Sequence, residues 1–238
     1  MPKFCIVIPS FNSDNTLHDC INSAINQNFS DYSVVFSDNN SKDRTKNILD
    51  KFNNKRLKKF FNEETLSKTD NWNRAFSFAD DCDYLINLHS DDVLDVNCLN
   101  HISDNLESKP LVLSGKNKRI DFYGNVLNPL HKSFPFSYAT QNLSFKKILV
   151  LSNPVSIVGT AIKQSAFEGL SGWSSKYNFY QDVDLWYRMS ELGNVHYTPQ
   201  LLGSYRAPLQ FNTSNYIEES ILWYSYIIDK YKDHSLSR

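Results

Sequence analysis

The chain has 238 residues, a formal net charge of -1, 41% hydrophobic and 21% charged residues. That length suits one large α/β domain or two small ones and is enough to bury a substantial core. The near-neutral charge gives no broad electrostatic case for nucleic acid, and no apolar run approaches the roughly 20 residues of a spanning helix.

Cys5, Cys20, Cys82 and Cys98 form no CxxC pair. This argues against a zinc ribbon or redox motif and for buried thiols in a reducing compartment. Met1-Pro2-Lys3 runs straight into a strand-like segment, so a cytoplasmic chain without a signal peptide is expected. The first of the 7 glycines is Gly115. The N-terminal half therefore carries neither a dinucleotide-binding glycine fingerprint nor a P-loop, and phosphate there needs another device, such as a metal.

Phe4 to Ile8 reads as a central parallel strand buried on both faces, ended by Pro9 and a polar loop, Ser10-Phe11-Asn12. Ser13 or Asp14 is expected to cap a helix with Leu17, Ile21, Ala24 and Ile25 on one face. A second strand, Tyr32 to Phe36, ends in Ser37-Asp38-Asn39-Asn40-Ser41, and Asp43 starts a second helix. Leu57 to Phe61 reads as a third strand. A helix carrying Trp72, Ala75, Phe76 and Ala79 follows, then a fourth strand, Asp83 to Leu88. This alternation through about residue 114 predicts a doubly wound parallel sheet, with ligands at the carboxyl ends of its strands. Three polar clusters fall there: Ser10–Asn12, Asp38–Ser41 and His89–Asp92.

Residues 115–145 predict a strand or two and a long loop. Leu149 to Ser152 predicts a helix end, Ile157 to Ile162 a strand, and Gly169 to Phe179 a lid-like loop. A helix from Asp182 to Leu192 should stop at Gly193, followed by short strands at Val195–Thr198 and Leu201–Tyr205. A tail helix, Asn215 to Lys232, carries Ile217, Ile221, Tyr224, Ile228 and Tyr231 on one face. Covering the core or pairing with a second copy suits that face better than membrane contact, since Glu218, Glu219, Asp229 and Asp233 outnumber Lys230 and Lys232.

Two acidic stretches carry the chemistry. Asp91 and Asp92 at a strand end are costly to hold together unless a cation shares them, and a hard divalent ion on one or two carboxylates completes its shell with substrate phosphates. Read blandly, Asp92 caps a following helix. Asp182 and Asp184 open a helix, where they are either first-turn acids favoured by the dipole or a proton acceptor facing a substrate. Asp38 either accepts an N–H from a base such as uracil or caps its own helix.

The order of these clusters resembles family 2 glycosyltransferases of the GT-A fold. Ile6 to Asn12 resembles the family's opening strand and loop, and Ser37 to Thr45 its second-strand D-D/N-G-S-x-D-x-T motif. Asn71-Trp72-Asn73-Arg74-Ala75 resembles the segment before the fourth strand. Leu88 to Asp92 sits at the D-x-D metal motif, Gln181 to Arg188 at the E-D-x-D-L-x-x-R helix, and Leu201 to Arg206 at the closing Tyr-Arg strand.

The resemblance spans residues 3–206. It implies a GT-A domain over 1–210, with a nucleotide-sugar half (1–114), a smaller acceptor-side half (115–210) and a helical tail (211–238). It implies inverting, single-displacement sugar transfer from a nucleoside-diphosphate sugar, UDP-linked by preference, to a hydroxyl of a growing surface glycan, free or lipid-linked. Asp182 would be the catalytic base. His89, Asp91 and Asp92 would hold Mn²⁺ or Mg²⁺. Pro9, Ser10, Asn12, Asp38, Asn73, Ser90, Gln181, Arg188 and Arg206 would contact substrates. A homodimer and peripheral contact with the inner face of the cell membrane are compatible with this reading. His89 and Gln181 replace acids of the family pattern, and Pro208 stands where the family often has a histidine. These departures keep a second expectation alive, a non-catalytic subunit that binds a nucleotide sugar or glycan. A metal-dependent phosphohydrolase ranks lower, because His18, His101, His131, His196 and His234 are scattered.

Overall fold

The computed structural model describes residues 1–128, 153, 155–207 and 213–235. Among them, nine strands form one curled sheet in the order β3-β2-β1-β4-β8-β6-β9-β5, with β7 paired to β6. The strands are β1 Phe4–Ser10, β2 Tyr32–Asp38, β3 Leu57–Phe61, β4 Tyr84–Asn87, β5 Val93–Leu94, β6 Val112–Ile120, β7 Val126–Asn128, β8 Ala161–Lys163 and β9 Val195–Arg206. The helices are α1 Leu17–Ile25, α2 Thr45–Leu49, α3 Lys68–Ser77, α4 Cys98–Ser103, α5 Gln164–Gly169, α6 Gln181–Leu192 and α7 Thr213–Ser235.

Every residue of β1 is buried. Its alternate side chains enter two cores: Cys5 and Val7 face Phe76, Trp186 and Trp223, whereas Phe4, Ile6 and Ile8 face Leu17, Ile21 and Leu99. A strand covered on both faces is the physical meaning of the unbroken apolar run. β1 pairs parallel with β2 and β4, and β2 with β3. Ser10 lies beside Asp38, and Val7 beside Asn87. The three polar clusters therefore emerge on one edge of the sheet. Beyond β4 the sheet is mixed: β8 runs antiparallel to β4 and β6, and β9 parallel to β6.

Several expectations are corrected. The N-cap position of α1 is Thr16, not Ser13 or Asp14; Ser13 instead accepts the Leu17 N–H through its backbone carbonyl at 2.9 Å. Val93–Leu94 is a strand paired with β9, so Asp92 caps no helix there. The strand expected over 157–162 shortens to Ala161–Lys163, because Gly159 and Thr160 turn the chain against Asn87. The two strands expected after Gly193 are one. Pro199 and Gln200 sit where the β6–β9 register slips, so the missing proline N–H falls in a bulge instead of ending the strand.

The tail helix is turned from its expected face. Trp223 and Ile227 are fully buried, while Ile217, Ile221 and Ile228 are about half exposed. Trp223 lies among the rings of Tyr177, Tyr180 and Tyr187 at centroid distances of 5.6, 6.1 and 5.9 Å. The helix thus belongs to the core on the α3–α6 side of the sheet. The expected helix end at 149–152 and most of the expected 115–145 loop lie outside the described residues, as does Pro208. No helix among the described residues is long and apolar enough to cross a membrane.

Candidate active site

A cavity of about 620 Å³ opens at the carboxyl ends of β1 and β4. Pro9, Ser10, Asn12, His89, Ser90, Asp91 and Arg206, all expected site residues, line it. So do Asn39, Asn71 and Trp72, which lie within the quoted motifs but had no role assigned, and Lys68 and Phe122, which lie outside them. Ser67 caps the start of α3: its hydroxyl accepts the Asp70 N–H at 3.2 Å and donates to the Asp70 carboxylate at 2.6 Å. That Ser-x-x-Asp spacing was the available signal. It fixes Lys68 in the first helical turn, and Trp72 one turn later on the same face.

Leu88 separates His89 from β4, and a tight turn returns the Asp92 N–H to the His89 carbonyl at 3.0 Å. One ligand atom from each of His89, Asp91 and Asp92 lies within 4.8 Å of the others. The His89 ring packs on Trp72 at 4.6 Å between centroids. Burial, reinforced by the charge of Lys68, holds the His89 pKa down at about 3, so the imidazole is neutral at working pH. Burial and then the neighbouring Asp91 charge push Asp92 well above the usual carboxylate range. Asp92 Oδ1 accepts the Arg206 N–H at 2.8 Å, but Asp92 Oδ2 and His89 Nε2 are buried without a hydrogen-bond partner. Unpaired buried polar atoms call for an explanation. Two carboxylates and a neutral imidazole suit Mn²⁺ well, and these residues therefore fit the divalent ion.

Arg206 is 4% exposed and donates to backbone carbonyls: Nε to Asp91 at 2.7 Å, and Nη1 to Asp121 at 3.1 Å and Phe122 at 2.7 Å. It ties the acidic turn to the β6–β7 turn and walls the cavity. The loops after β1 and β2 are stitched in the same way. Asn12, at φ 50°, donates its N–H to Ser41 Oγ at 2.8 Å and accepts the Lys42 N–H at 2.9 Å. Asp38 is buried and accepts both the N–H and the hydroxyl of Ser41, at 2.9 and 2.6 Å. It stands behind the lining, as the brace of its own turn. Ser90 meets the Ser13 hydroxyl at 2.6 Å.

Asp182 is not among the described residues that line the cavity; it occupies the first turn of α6. Its Oδ2 accepts from Asn153 Nδ2 at 2.6 Å and its Oδ1 from the Val183 N–H at 2.8 Å. Burial raises its pKa, while these two hydrogen bonds and the Lys68 charge oppose the rise. Lys68 donates to the Asn178 carbonyl at 2.8 Å and lies 4.6 Å from the Trp72 ring centre. Desolvation lowers its pKa, against the opposing charges of Asp182 and Glu219. Lys68 thus links the cavity wall to the segment that leads into Asp182.

The remaining expected residues are placed off the cavity surface. Asn73 clasps the Trp173 backbone, donating to its carbonyl at 2.9 Å and accepting its N–H at 2.8 Å. Gln181 donates to Thr69 Oγ1. Arg188 pairs with Asp184 at 2.7 Å and donates to the Leu170 and Gly172 carbonyls at 3.1 and 2.9 Å. Asn73 and Arg188 fasten the loop between α5 and α6 to the helices beside it, and Gln181 ties α6 to α3.

Residues 5–167 match the family model described as Glycosyl transferase family 2, and the chain belongs to that family. Over 65 residues it is 37% identical to a Campylobacter jejuni protein named GalNAc(5)-diNAcBac-PP-undecaprenol beta-1,3-glucosyltransferase, covering 26% of this chain and 21% of that one. An uncharacterized glycosyltransferase from Rickettsia felis is 23% identical over 235 residues, which are 95% of this chain and 38% of that protein. The chain therefore spans well under half the length of these two relatives. Among solved structures, S. aureus TarS 1-349 in complex with UDP-GlcNAc superposes with a TM-score of 0.72 at 18% identity, over 89% of this chain and 60% of that one. Mannosyltransferase PcManGT from Pyrobaculum calidifontis, in complex with GDP-Man and Mn²⁺, gives 0.64 at 14% identity, over 88% and 58%. The expected GT-A fold holds.

Proposed function

We propose that the chain is an inverting glycosyltransferase that moves a sugar from a UDP-sugar to a hydroxyl of a growing glycan, free or lipid-linked. One observation carries the reading: the cavity is lined by His89 and Asp91, which with Asp92 behind them form a metal-ligating cluster with unpaired atoms on His89 and Asp92, and by Lys68, whose charge acts on Asp182. The names of the relatives support it, since one is a glucosyltransferase with an undecaprenol-linked name and two fold neighbours were solved with nucleotide sugars. In this reading 1–114 is the nucleotide-sugar half, 115–210 the acceptor half and 211–238 a C-terminal tail, whose helix α7 packs onto the domain through Trp223 and Ile227.

His89, Asp91 and Asp92 would hold Mn²⁺ or Mg²⁺, which when bound supplies positive charge to the diphosphate leaving group. Lys68 adds a second cation on the cavity wall. Asn12 and the loop braced by Asp38 shape the nucleotide end, and Ser10, Ser90 and Asn39 offer polar groups around it. Asp182 takes the proton of the acceptor hydroxyl as that oxygen bonds to the anomeric carbon. The bond from that carbon to the diphosphate oxygen breaks, and its electron pair leaves with the diphosphate. One displacement inverts the anomeric configuration. The raised pKa of Asp182 makes its carboxylate a stronger proton acceptor near neutral pH than an exposed aspartate would be.

The test is a thermal-shift screen of nucleotide sugars with and without Mn²⁺, followed by turnover of any stabilising donor. Metal-dependent stabilisation with turnover that Asp182→Asn abolishes while nucleotide binding persists is the expected result. Binding without turnover across a broad donor and acceptor panel would replace the reading with the non-catalytic one.

A further inference from the structure

We infer that Glu219, on α7, is a positioning residue for the reaction: it clamps the segment that leads into Asp182 against the donor cavity. The inference rests on the proposed role of Asp182 and concerns a helix beyond the residues that match the family. The Asn178 N–H donates to both carboxylate oxygens of Glu219, at 2.9 Å each, and the Phe179 N–H donates to one of them at 2.7 Å. On the opposite side of the same residue, the Asn178 carbonyl accepts from Lys68 in the cavity wall. Asn178 is therefore held between a cation of the site and an anion of the C-terminal helix.

Three further facts make this a clamp and not a passing surface contact. Two successive backbone N–H groups just ahead of α6, those of Asn178 and Phe179, share the one Glu219 carboxylate as acceptor. The Tyr180 hydroxyl meets the Ser220 hydroxyl at 2.8 Å, one residue along each element. Trp223, one turn further on α7, is fully buried against Tyr177, Tyr180 and Tyr187 and anchors the helix that carries Glu219. Hydrogen bonds from backbone N–H groups to a carboxylate are charge-assisted and short, so the clamp restrains direction as well as distance. Asp182 follows Asn178 by four residues, and a displacement of about 1 Å at a reacting group costs on the order of 100-fold in rate.

The experiment compares the full chain with Glu219→Ala, Glu219→Gln and the neighbouring exposed Glu218→Gln, with Asp182→Asn in parallel. Nucleotide release from a panel of UDP-hexoses with Mn²⁺ gives kcat, calorimetry gives the UDP Kd, and hydrogen exchange by mass spectrometry follows the 176–183 peptide. For Glu219→Ala the expected outcome is a kcat roughly 10- to 100-fold lower per folded molecule, with the UDP Kd changed by no more than about twofold. Exchange in 176–183 should be about tenfold faster. Glu219→Gln keeps one carbonyl acceptor and should lose less; Glu218→Gln should match the parent. Unchanged exchange in Glu219→Ala overturns the clamp. Faster exchange with parental kcat, or a kcat loss matched by the loss of UDP-binding sites, overturns the positioning role. If Asp182→Asn keeps parental turnover, or the parent releases nucleotide from no donor, the proposed function fails, and the exchange measurement still decides whether Glu219 holds the segment.

Discussion

Asp92 and His89 each leave one buried polar atom unpaired, and with Asp91 they form one cluster of metal-ligating groups. Such a pair is tolerable if a third partner arrives, and a divalent ion is the partner that a carboxylate and a neutral imidazole share. Asp92→Asn and His89→Ala should therefore each abolish Mn²⁺-dependent stabilisation by UDP in a thermal-shift assay, while the apo proteins stay folded. Asp182 carries a different expectation. A carboxylate whose folded pKa is raised becomes protonated, and so useless as a base, as pH falls through that raised value; kcat should drop on the acid side at a pH above the ordinary aspartate range. The Asn153 hydrogen bond favours the charged form, so Asn153→Ala should move this acid limb to higher pH in a kcat–pH profile. Asp182→Asn should lower kcat on the order of 10²- to 10⁴-fold, the usual range for a general base. Among these residues Asp91, Asp92 and Asp182 stood out as types in a pattern. Lys68 did not, because one lysine in a polar segment is unremarkable until the fold points it across a cavity.

At the scale of elements, the loop between α5 and α6 is held more firmly than its Gly/Ser/aromatic composition suggests. Asn73, Arg188, Lys68 and Glu219 each bond its backbone. Gly172 sits at φ +72° with the Asn73 Oδ1 only 2.6 Å from where a Cβ would stand. Gly172→Ala should cost roughly 1–3 kcal/mol from the backbone conformation alone, read as a lower midpoint in urea unfolding. The clasp from Asn73 should be disturbed as well. Periodicity located α1, α3, α6 and α7 well. It erred on which face of α7 is inward, because isoleucines recur along one stripe while one tryptophan on another stripe buries far more area. Trp223→Ala should accordingly destabilise by about 3–5 kcal/mol, whereas Ile221→Ala should leave the unfolding midpoint almost unchanged.

Over the whole molecule, the glycine-free N-terminal half and the mixed C-terminal half divide the work. Parallel strands β3, β2, β1 and β4 bring three loops to one edge. β9 then carries Arg206 across to the acidic turn, and Glu219 of α7 holds the segment ahead of α6. The alternation of apolar runs with helical stripes made the α/β class legible in the sequence, and the resemblance of its ordered motifs to family 2 glycosyltransferases pointed to the family. These are local signals that survive without knowing any long-range contact. The tertiary structure alone decided which polar residues face the cavity and which brace it. Asp38, Asn73, Gln181 and Arg188 turn to neighbouring hydroxyls, carbonyls and carboxylates, while Lys68 and Trp72 turn to the cavity. A side chain's role depends on partners 16 to 112 residues away as much as on its own type, as with Arg188 on Gly172 and Gln181 on Thr69. Those pairings exist only once the two cores have closed around the sheet.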